Sequence, residues 1–309
     1  MDILLEYQNI HASHRGASVA ICNFDGVHLG HQKVLDLARK GPGPLGVLTF
    51  EPHPREVFFP DAPPFRLMSA TARANRLAKL DVKTLFELSF NSDLSSLTAR
   101  EFAKSVLADG LGLSRVVVGA DFCFGKGRAG DVAALKDFGA EFGFEVIVAD
   151  ILQGDTGAAV SSTNIRRALS DGNPRAAAAM LGHWHRVDGP VVHGEKRGRE
   201  LGFPTANMNL DGLHLPKLGT YAVLVDVLEG PYAGSYHGAA SLGVRPMFNG
   251  SVPNLETFLF DFKGDLYGTP LSVCLVDFLR PEQSFDGIDA LIAQMDADFQ
   301  QARAILRDM

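Results

Sequence analysis

A change of rhythm part-way along the chain constrains its fold more than any single residue does. Up to about residue 183, short β-rich runs alternate with segments of helical periodicity. The runs are "ASVAICNF", "PLGVLTF", "KTLFELSF", "RVVVGADF" and "FEVIVADI". Between them lie "HQKVLDLARK", "ATARANRLAKL", "AREFAKSVLADG" and "DVAALKDFGAEFG", with apolar residues at helical spacing. This alternation predicts a parallel sheet covered by helices, an α/β architecture. After the Ala-rich "NPRAAAAMLGHWHRV" the helices stop. "GPVVHG", "TYAVLVDVL", "SYHGAASLG", "ETFLFDF" and "LSVCLVDFL" then follow one another across Gly/Pro turns, which predicts an antiparallel barrel or sandwich. The chain closes on "GIDALIAQMDADFQQARAIL", where Ile288, Leu291, Ile292, Met295, Phe299, Ala302 and Leu306 mark one face of an amphipathic helix. Two domains are expected, 1–183 and 184–309.

Composition narrows the class of function. The 309 residues are 46% hydrophobic and 21% charged, as in a soluble globular protein with room for two cores. A net charge of -7 with no block of Lys or Arg argues against a nucleic-acid binder. Small phosphorylated ligands need only a few placed cations and amides, so they stay in play. Cys22, Cys123 and Cys274 are far apart and lack zinc-type spacing, which fits reduced thiols in the cytoplasm. "MDILLEYQNIHASHRG" has no basic region leading a hydrophobic core, so no signal peptide is expected. No apolar run approaches the ~20 residues of a membrane span.

The stretch "CNFDGVHLGHQ", residues 22–32, follows the first predicted strand. Ligands of open parallel sheets bind beyond the carboxyl ends of the strands, where this loop lies. His28 and His31 are three apart and share a face of a helix's first turn. Free amides and partial positive charge at that helix end suit a phosphate. Gly30 removes a side chain that would keep a ligand from the backbone. Imidazoles there can donate to phosphate oxygens as charge develops. The spacing also fits two polar residues on a solvated helix end, while a metal lacks an apparent third ligand. In "VSSTNIRRAL", residues 160–169, Ser161, Ser162 or Thr163 suits the N-cap of another helix. Three hydroxyls with Arg166 a turn later exceed what a cap needs, and the forked Arg donors match phosphate oxygens. Both readings stay open.

Two glycine patterns compete. "GPGPLG" at 41–46 precedes its strand and is stiffened by prolines. "GKGRAG" at 125–130 follows a strand and precedes a helix, with Asp150 about where a ribose-binding acid would lie. A dinucleotide-dependent oxidoreductase built on it would leave the His pair, "SSTNIR" and "FPTAN" unexplained. In the second half, "HGEKRGRELGFPTANMNL" is glycine-rich and basic, then turns into an extended segment fixed by Pro204. Thr205 and Asn207 are two apart and face the same way. Their hydroxyl and amide oxygens are hard ligands suited to Mg²⁺, though a polar turn uses the same residues. Glu256, an acid flanked by apolar residues in "LETFLFDFKGDLYG", either points to solvent or serves as a general base.

These residues carry a resemblance. "NFDGVHLGH", "LTFEPHPREVF", "VVVGADFCFG", "SSTNIR", "GRELGFPTAN", "GTYAV", "GVRPMF" and "LETFLFDFKGDLYG" occur in one order along nearly the whole chain. In them the chain resembles the bacterial bifunctional riboflavin kinase/FMN adenylyltransferases, or FAD synthetases. The resemblance implies a nucleotidyltransferase-like α/β domain followed by a six-stranded antiparallel β-barrel with a terminal helix. It implies two reactions: riboflavin and ATP give FMN and ADP in the second domain, and FMN and ATP give FAD and pyrophosphate in the first. Glu256 would be the kinase base, Thr205 and Asn207 the Mg²⁺-ATP residues, and His28 and His31 the phosphate donors of the adenylyl step, with Ser161, Ser162, Thr163 and Arg166 on the other side of the phosphates. Asn23, Phe24, Asp25, Gly26, Gly30, His53 and Asp121 would line the first site. Gly194, Arg197, Gly202, Pro204, Arg245 and Arg303 would line the second. The expected partners are riboflavin, FMN and ATP, with no nucleic acid and no membrane, for a cytoplasmic monomer or weak homo-oligomer. The family usually has Gly where Cys22 stands and Arg where Cys123 stands, and often threonines where Val244 and Met247 stand. With "HLGH" and "SSTNIR" intact, adenylylation is still expected.

Overall fold

The computed structural model describes residues 1–154, 157–194, 203–247 and 250–309, without the side chains of 245–247 and 250–252. Its contacts form two units, Met1–Pro63 with Ala70–Val160, and Pro64–Ser69 with Ser161–Met309.

In the first unit six parallel strands are β1 (Asp2–Leu4), β2 (Ser18–Ile21), β3 (Leu45–Glu51), β4 (Thr84–Ser89), β5 (Arg115–Gly119) and β6 (Glu145–Ala149). Their order is β1-β4-β3-β2-β5-β6. The chain winds outward from β2 through β3 and β4, then returns to β2's other side with β5. The loop after β2 therefore opens at the point where the winding reverses, the ligand crevice of such sheets. The covering helices are α1 (Leu29–Arg39), α2 (Pro54–Phe58), α3 (Ala70–Lys79), α4 (Ser92–Ser96), α5 (Ala99–Glu101) and α6 (Val132–Phe142). Every residue of β2 is buried. Val19, Ile21, Leu48, Phe86, Val116 and Val118 from the central strands share a core with Leu107, Leu111 and Leu135.

Two details differ from the sequence expectation. The helix expected over 99–110 runs as α5 and then as a π-helical stretch, Phe102–Gly110, with Leu111 N–H donating to Val106 O at 2.8 Å. Strand β1 is an addition, since its three residues are mostly exposed and too few to show alternation.

The second unit starts with α7 (Ser162–Ser170) and α8 (Pro174–Leu181), whose Ile165, Leu169, Ala177 and Leu181 pack on Leu67. Both helices lie between the Val160/Ser161 division and the boundary expected near residue 184. Six antiparallel strands follow: β7 (Arg186–Pro190), β8 (Ala206–Asn209), β9 (Gly219–Val227), β10 (Gly234–Met247), β11 (Gly250–Leu259) and β12 (Pro270–Arg280). The order is β7-β12-β9-β10-β11-β8, and Val192 N–H donates to Asn207 O at 2.8 Å, tying the segment after β7 back to β8. The ring is a nearly closed barrel. Strand β7 begins upstream of the expected "GPVVHG" and overlaps it at Gly189 and Pro190. Its outward residues are polar: Arg186 reaches Asp226 at 2.6 Å, and Asp188 accepts from Ser272.

Alternation along β11 sorts the two faces of the barrel. Leu255 and Leu259 enter the interior with Val223, Val225, Leu242, Val273 and Leu275. Asn254, Glu256 and Phe258, on the other parity, face outward. That outer face carries α9 (Ile288–Leu306), whose Phe299 stacks on Phe258 at 4.7 Å and 7°. The expected apolar face of α9 holds at Ala302 and Leu306, which are buried, while Ile288 is exposed. Within the stripe sits buried Asp298, neutralised by Arg280 Nε and Nη2 at 3.0 and 2.8 Å.

Candidate active sites

Beyond β2 the chain turns sharply. Phe24 (φ 53°), Gly26 (φ 88°) and Val27 (φ 42°) are all left-handed. Only glycine adopts this without cost, so Phe24 and Val27 each carry strain of order 1–3 kcal/mol. Both are fully buried, and that packing holds the turn. Asn23 O is held as well, accepting from Thr49 Oγ1 at 3.2 Å and from Arg73 Nη1 at 3.4 Å. Arg73, on α3, is 3% exposed, and its Nη2 also donates to Glu51 at 2.9 Å and Glu87 at 2.7 Å. Sequence reasoning missed this residue. Its signal was an arginine on the stripe with Ala74 and Leu77, where an apolar side chain is the rule.

The turn delivers His28 to the N-cap of α1. His28 Nδ1 accepts from His31 N–H at 3.2 Å, so a neutral His28 carries its proton on Nε2. The two imidazoles stack at 3.6 Å with 16° between their planes. Each is 7% exposed. Burial, with the adjoining His28 adding to it, holds the His31 pKa well below the ordinary histidine value. His31 is therefore neutral at physiological pH, and its Nδ1 is buried without a hydrogen-bond partner among the described residues. At Gly30 a Cβ would come within 3.0 Å of the His28 ring and 3.3 Å of Val160 O, so the stack needs glycine there.

Other expected residues belong to the same unit. Asp25 is buried and Asp121 exposed. Burial pushes the Cys22 thiol up, and the negative charges of Asp121 and Asp25 add to the effect. Cys123 Sγ lies 3.7 Å from Asp121 O. His53 caps α2, its Nδ1 accepting from Arg55 N–H at 3.1 Å, and Glu56 closes the capping box. The "GKGRAG" loop is pinned shut by Phe124 and Gly130, whose mutual backbone bonds are 3.0 and 2.9 Å. It is a closed turn before α6 and not a strand-to-helix phosphate loop.

In the second unit Ser161 is the N-cap of α7, accepting from Asn164 N–H at 3.3 Å. Ser162 is half-buried and Thr163 exposed in the first turn. Arg166 Nε donates to Phe65 O at 2.6 Å, with its guanidinium 5.2 Å from the Phe65 ring.

On the barrel's outer face, β8 sets Asn207 directly opposite Glu256 of β11. Asn207 is 5% exposed. Its Nδ2 donates to Thr205 O at 3.2 Å, and its Oδ1 accepts from Asn254 at 3.1 Å. A Cβ at Gly194 would lie 2.6 Å from Asn207 Nδ2, so a glycine is required where the backbone crosses that amide. Phe203 packs edge-on against Phe258 and Phe299 at 5.9 and 5.7 Å, which anchors the entry to Pro204 and Thr205. Arg303 is paired with Asp261 at 2.8 and 2.9 Å beside the Phe260 ring. Arg197, Gly202 and the Arg245 side chain lie outside the described residues. Among the described residues no group of three or more His, Cys, Asp or Glu is arranged to hold a metal, and no helix is long and apolar enough to cross a membrane.

A helix-covered parallel sheet with a buried imidazole stack at a helix N-terminus, and an antiparallel barrel with a carboxylate set against an amide, define a class of two-domain protein with a separate polar cluster in each unit. Comparison with known proteins narrows it. A family model described as FAD synthetase matches residues 10–164, and one described as riboflavin kinase matches residues 181–306. A bifunctional riboflavin kinase/FMN adenylyltransferase of Pseudomonas fluorescens is 41% identical over 99% of this chain and 98% of its own. Its counterpart in Escherichia coli strain K12 is 38% identical over 94% of this chain and 93% of its own. A crystal structure from Streptococcus pneumoniae, described as a macrolide-efflux protein, aligns with TM-score 0.85 at 32% identity over 98% of this chain and 99% of its own. The chain belongs to the bifunctional riboflavin kinase/FMN adenylyltransferase family.

Proposed function

We propose that residues 184–309 phosphorylate riboflavin with ATP to give FMN and ADP, and that residues 1–183 transfer the adenylyl group of a second ATP to FMN, giving FAD and pyrophosphate. The observation that carries this division is the register of β8 on β11, which sets Glu256 opposite Asn207. An alcohol barely ionises at neutral pH, so the kinase step needs a base. Glu256 takes the proton of the ribityl hydroxyl, whose oxygen attacks the γ-phosphorus of ATP. The Thr205 hydroxyl and Asn207 Oδ1 are hard oxygen donors on the same segment and fit Mg²⁺. When bound, the ion neutralises charge on the ATP phosphates. Gly194 lets the backbone pass close to the Asn207 amide.

The adenylyl step has a different nucleophile. The FMN phosphate, with a second pKa of about 6, is already largely ionised and needs no strong base. The demand is for donors at the ATP α-phosphate and the departing pyrophosphate. His28, with Nε2–H, and the neutral His31 supply them beside the amides of α1. We place both reactions in the cytoplasm, with riboflavin, FMN and ATP as the small-molecule partners.

The purified protein, incubated with riboflavin, ATP and Mg²⁺ and sampled by flavin chromatography, should form FMN that then gives way to FAD. FMN that accumulates without FAD, even when supplied directly, overturns the adenylyl half. No conversion at all overturns both.

A further inference from the structure

The expected kinase residues are Thr205, Asn207 and Glu256. A fourth polar side chain, Asn254, is built into the same face. Asn254 is two residues before Glu256 on β11, so both point outward, and it stands diagonal to Asn207 across the strand pair. It is 5% exposed. Its single Nδ2 donates to Asn207 Oδ1 at 3.1 Å and to Glu256 Oε1 at 3.2 Å. The two hydrogens of one amide nitrogen are thus divided between the two groups that the kinase step uses.

We propose that Asn254 is a positioning residue of the kinase site, an amide clip that fixes the Glu256 carboxylate relative to Asn207; this rests on the reading of Glu256 as the base. A carboxylate on a two-bond stem can rotate away from a substrate hydroxyl. Holding Oε1 fixes the plane of the carboxylate, and with it the direction of the other oxygen. Holding Asn207 Oδ1 fixes the amide whose Nδ2 donates to Thr205 O. Base and nucleotide-side amide then keep one spacing, as a transfer between two bound substrates requires. A serine or alanine cannot do this, because one hydroxyl proton or none serves two acceptors.

The test is a double-mutant cycle on riboflavin phosphorylation, with the Kd of Mg²⁺-ATP measured by calorimetry on the same full-length variants. Asn254→Asp keeps the shape of the side chain and removes both donors. It should lower kcat about 10- to 100-fold, the range for losing a hydrogen bond to a charged group in a buried site. Mg²⁺-ATP affinity should fall less than about fivefold, because Asn207 keeps its bond to Thr205 O. In a Glu256→Gln background the same substitution should cost less than about twofold, since the carboxylate to be positioned is gone. A purely structural residue would cost the same factor in both backgrounds, and that result overturns the proposal. So does an Asn254→Asp enzyme with unchanged kcat while Glu256→Gln is inactive. Full activity in Glu256→Gln overturns the base reading, and the proposal with it. If Asn254→Asp does not fold, Asn254→Ser, with one donor, should show an intermediate several-fold loss in kcat; unchanged kcat there equally overturns it.

Discussion

The loop after β2 and the β8–β11 face both keep polar groups out of water, by opposite means. Beside β2, strain and burial do it: left-handed Phe24 and Val27 force the turn, and two imidazoles stack, with the buried His31 ring held neutral. On the barrel, amides do it: Asn254 and Asn207 hold one another, Thr205 O and the Glu256 carboxylate. The contrast follows the nucleophiles. On the proposed reading, a phosphate arrives ionised and asks for donors, which the two rings at a helix end offer. On the same reading a ribityl alcohol must be deprotonated, which gives a reason to keep the Glu256 carboxylate in place.

Exchanging substitutions between the two sites is the strongest way to break this contrast. Glu256→Gln should lower riboflavin phosphorylation by up to about 10⁴-fold, the upper range for a general base, and leave FMN-to-FAD conversion within twofold. His31→Ala should lower FAD formation about 10²- to 10³-fold, as for the loss of a transition-state donor, and leave FMN formation unchanged. Both rates come from the same chromatographic time courses. One substitution that removed both activities from a folded protein would end the two-site division.

Arg73 sharpens the comparison at the level of stability. The strained loop depends on a buried cation between two carboxylates, with Glu51 30% and Glu87 13% exposed at their side chains. Arg73→Met would remove the cation facing those carboxylates and one of the two donors to Asn23 O. Breaking a buried pair costs about 3–5 kcal/mol, and the low end applies because Glu51 reaches solvent. Urea unfolding should show a loss of about 3 kcal/mol, and FAD formation should fall before FMN formation does. A change below about 0.5 kcal/mol would mean that the loop holds itself.

The strand–helix alternation and its break made the two architectures legible, because periodicity records which face is buried. Local spacing singled out the His pair and "FPTAN" as candidates. Arg73, Asn254 and Asp298 were not. Each is a polar residue at a position patterned as apolar or solvent-facing, and each has at least one partner 14 to 50 residues away in sequence. Spacing along one segment carries no record of such partners. The π-helical stretch was hidden for a related reason: Phe102, Ala103, Val106 and Leu107 keep an apolar stripe that looks α-helical in sequence.

The smallest expected effect concerns histidines in the two units. His31 beside the first site and His185 in the second unit are both held neutral by burial. His185 is 3% exposed, and burial, with the charges of His214 and His183 adding, brings its pKa down to about 3. The unfolded chain has an ordinary histidine there, near 6.5. Between those values the unfolded state binds a proton that the folded state refuses, so stability falls as pH falls. It is fully present above pH ~6.5 and drains by at most ~1.4 kcal/mol per pH unit towards pH ~3. Urea titrations from pH 7.5 to 5 should show that slope, and His185→Gln should flatten it. His31→Gln should flatten a separate part, through the first unit. If His185→Gln leaves the slope unchanged, burial of His185 does not set the acid sensitivity, and His31 and His214, which burial also lowers, are the next two to replace.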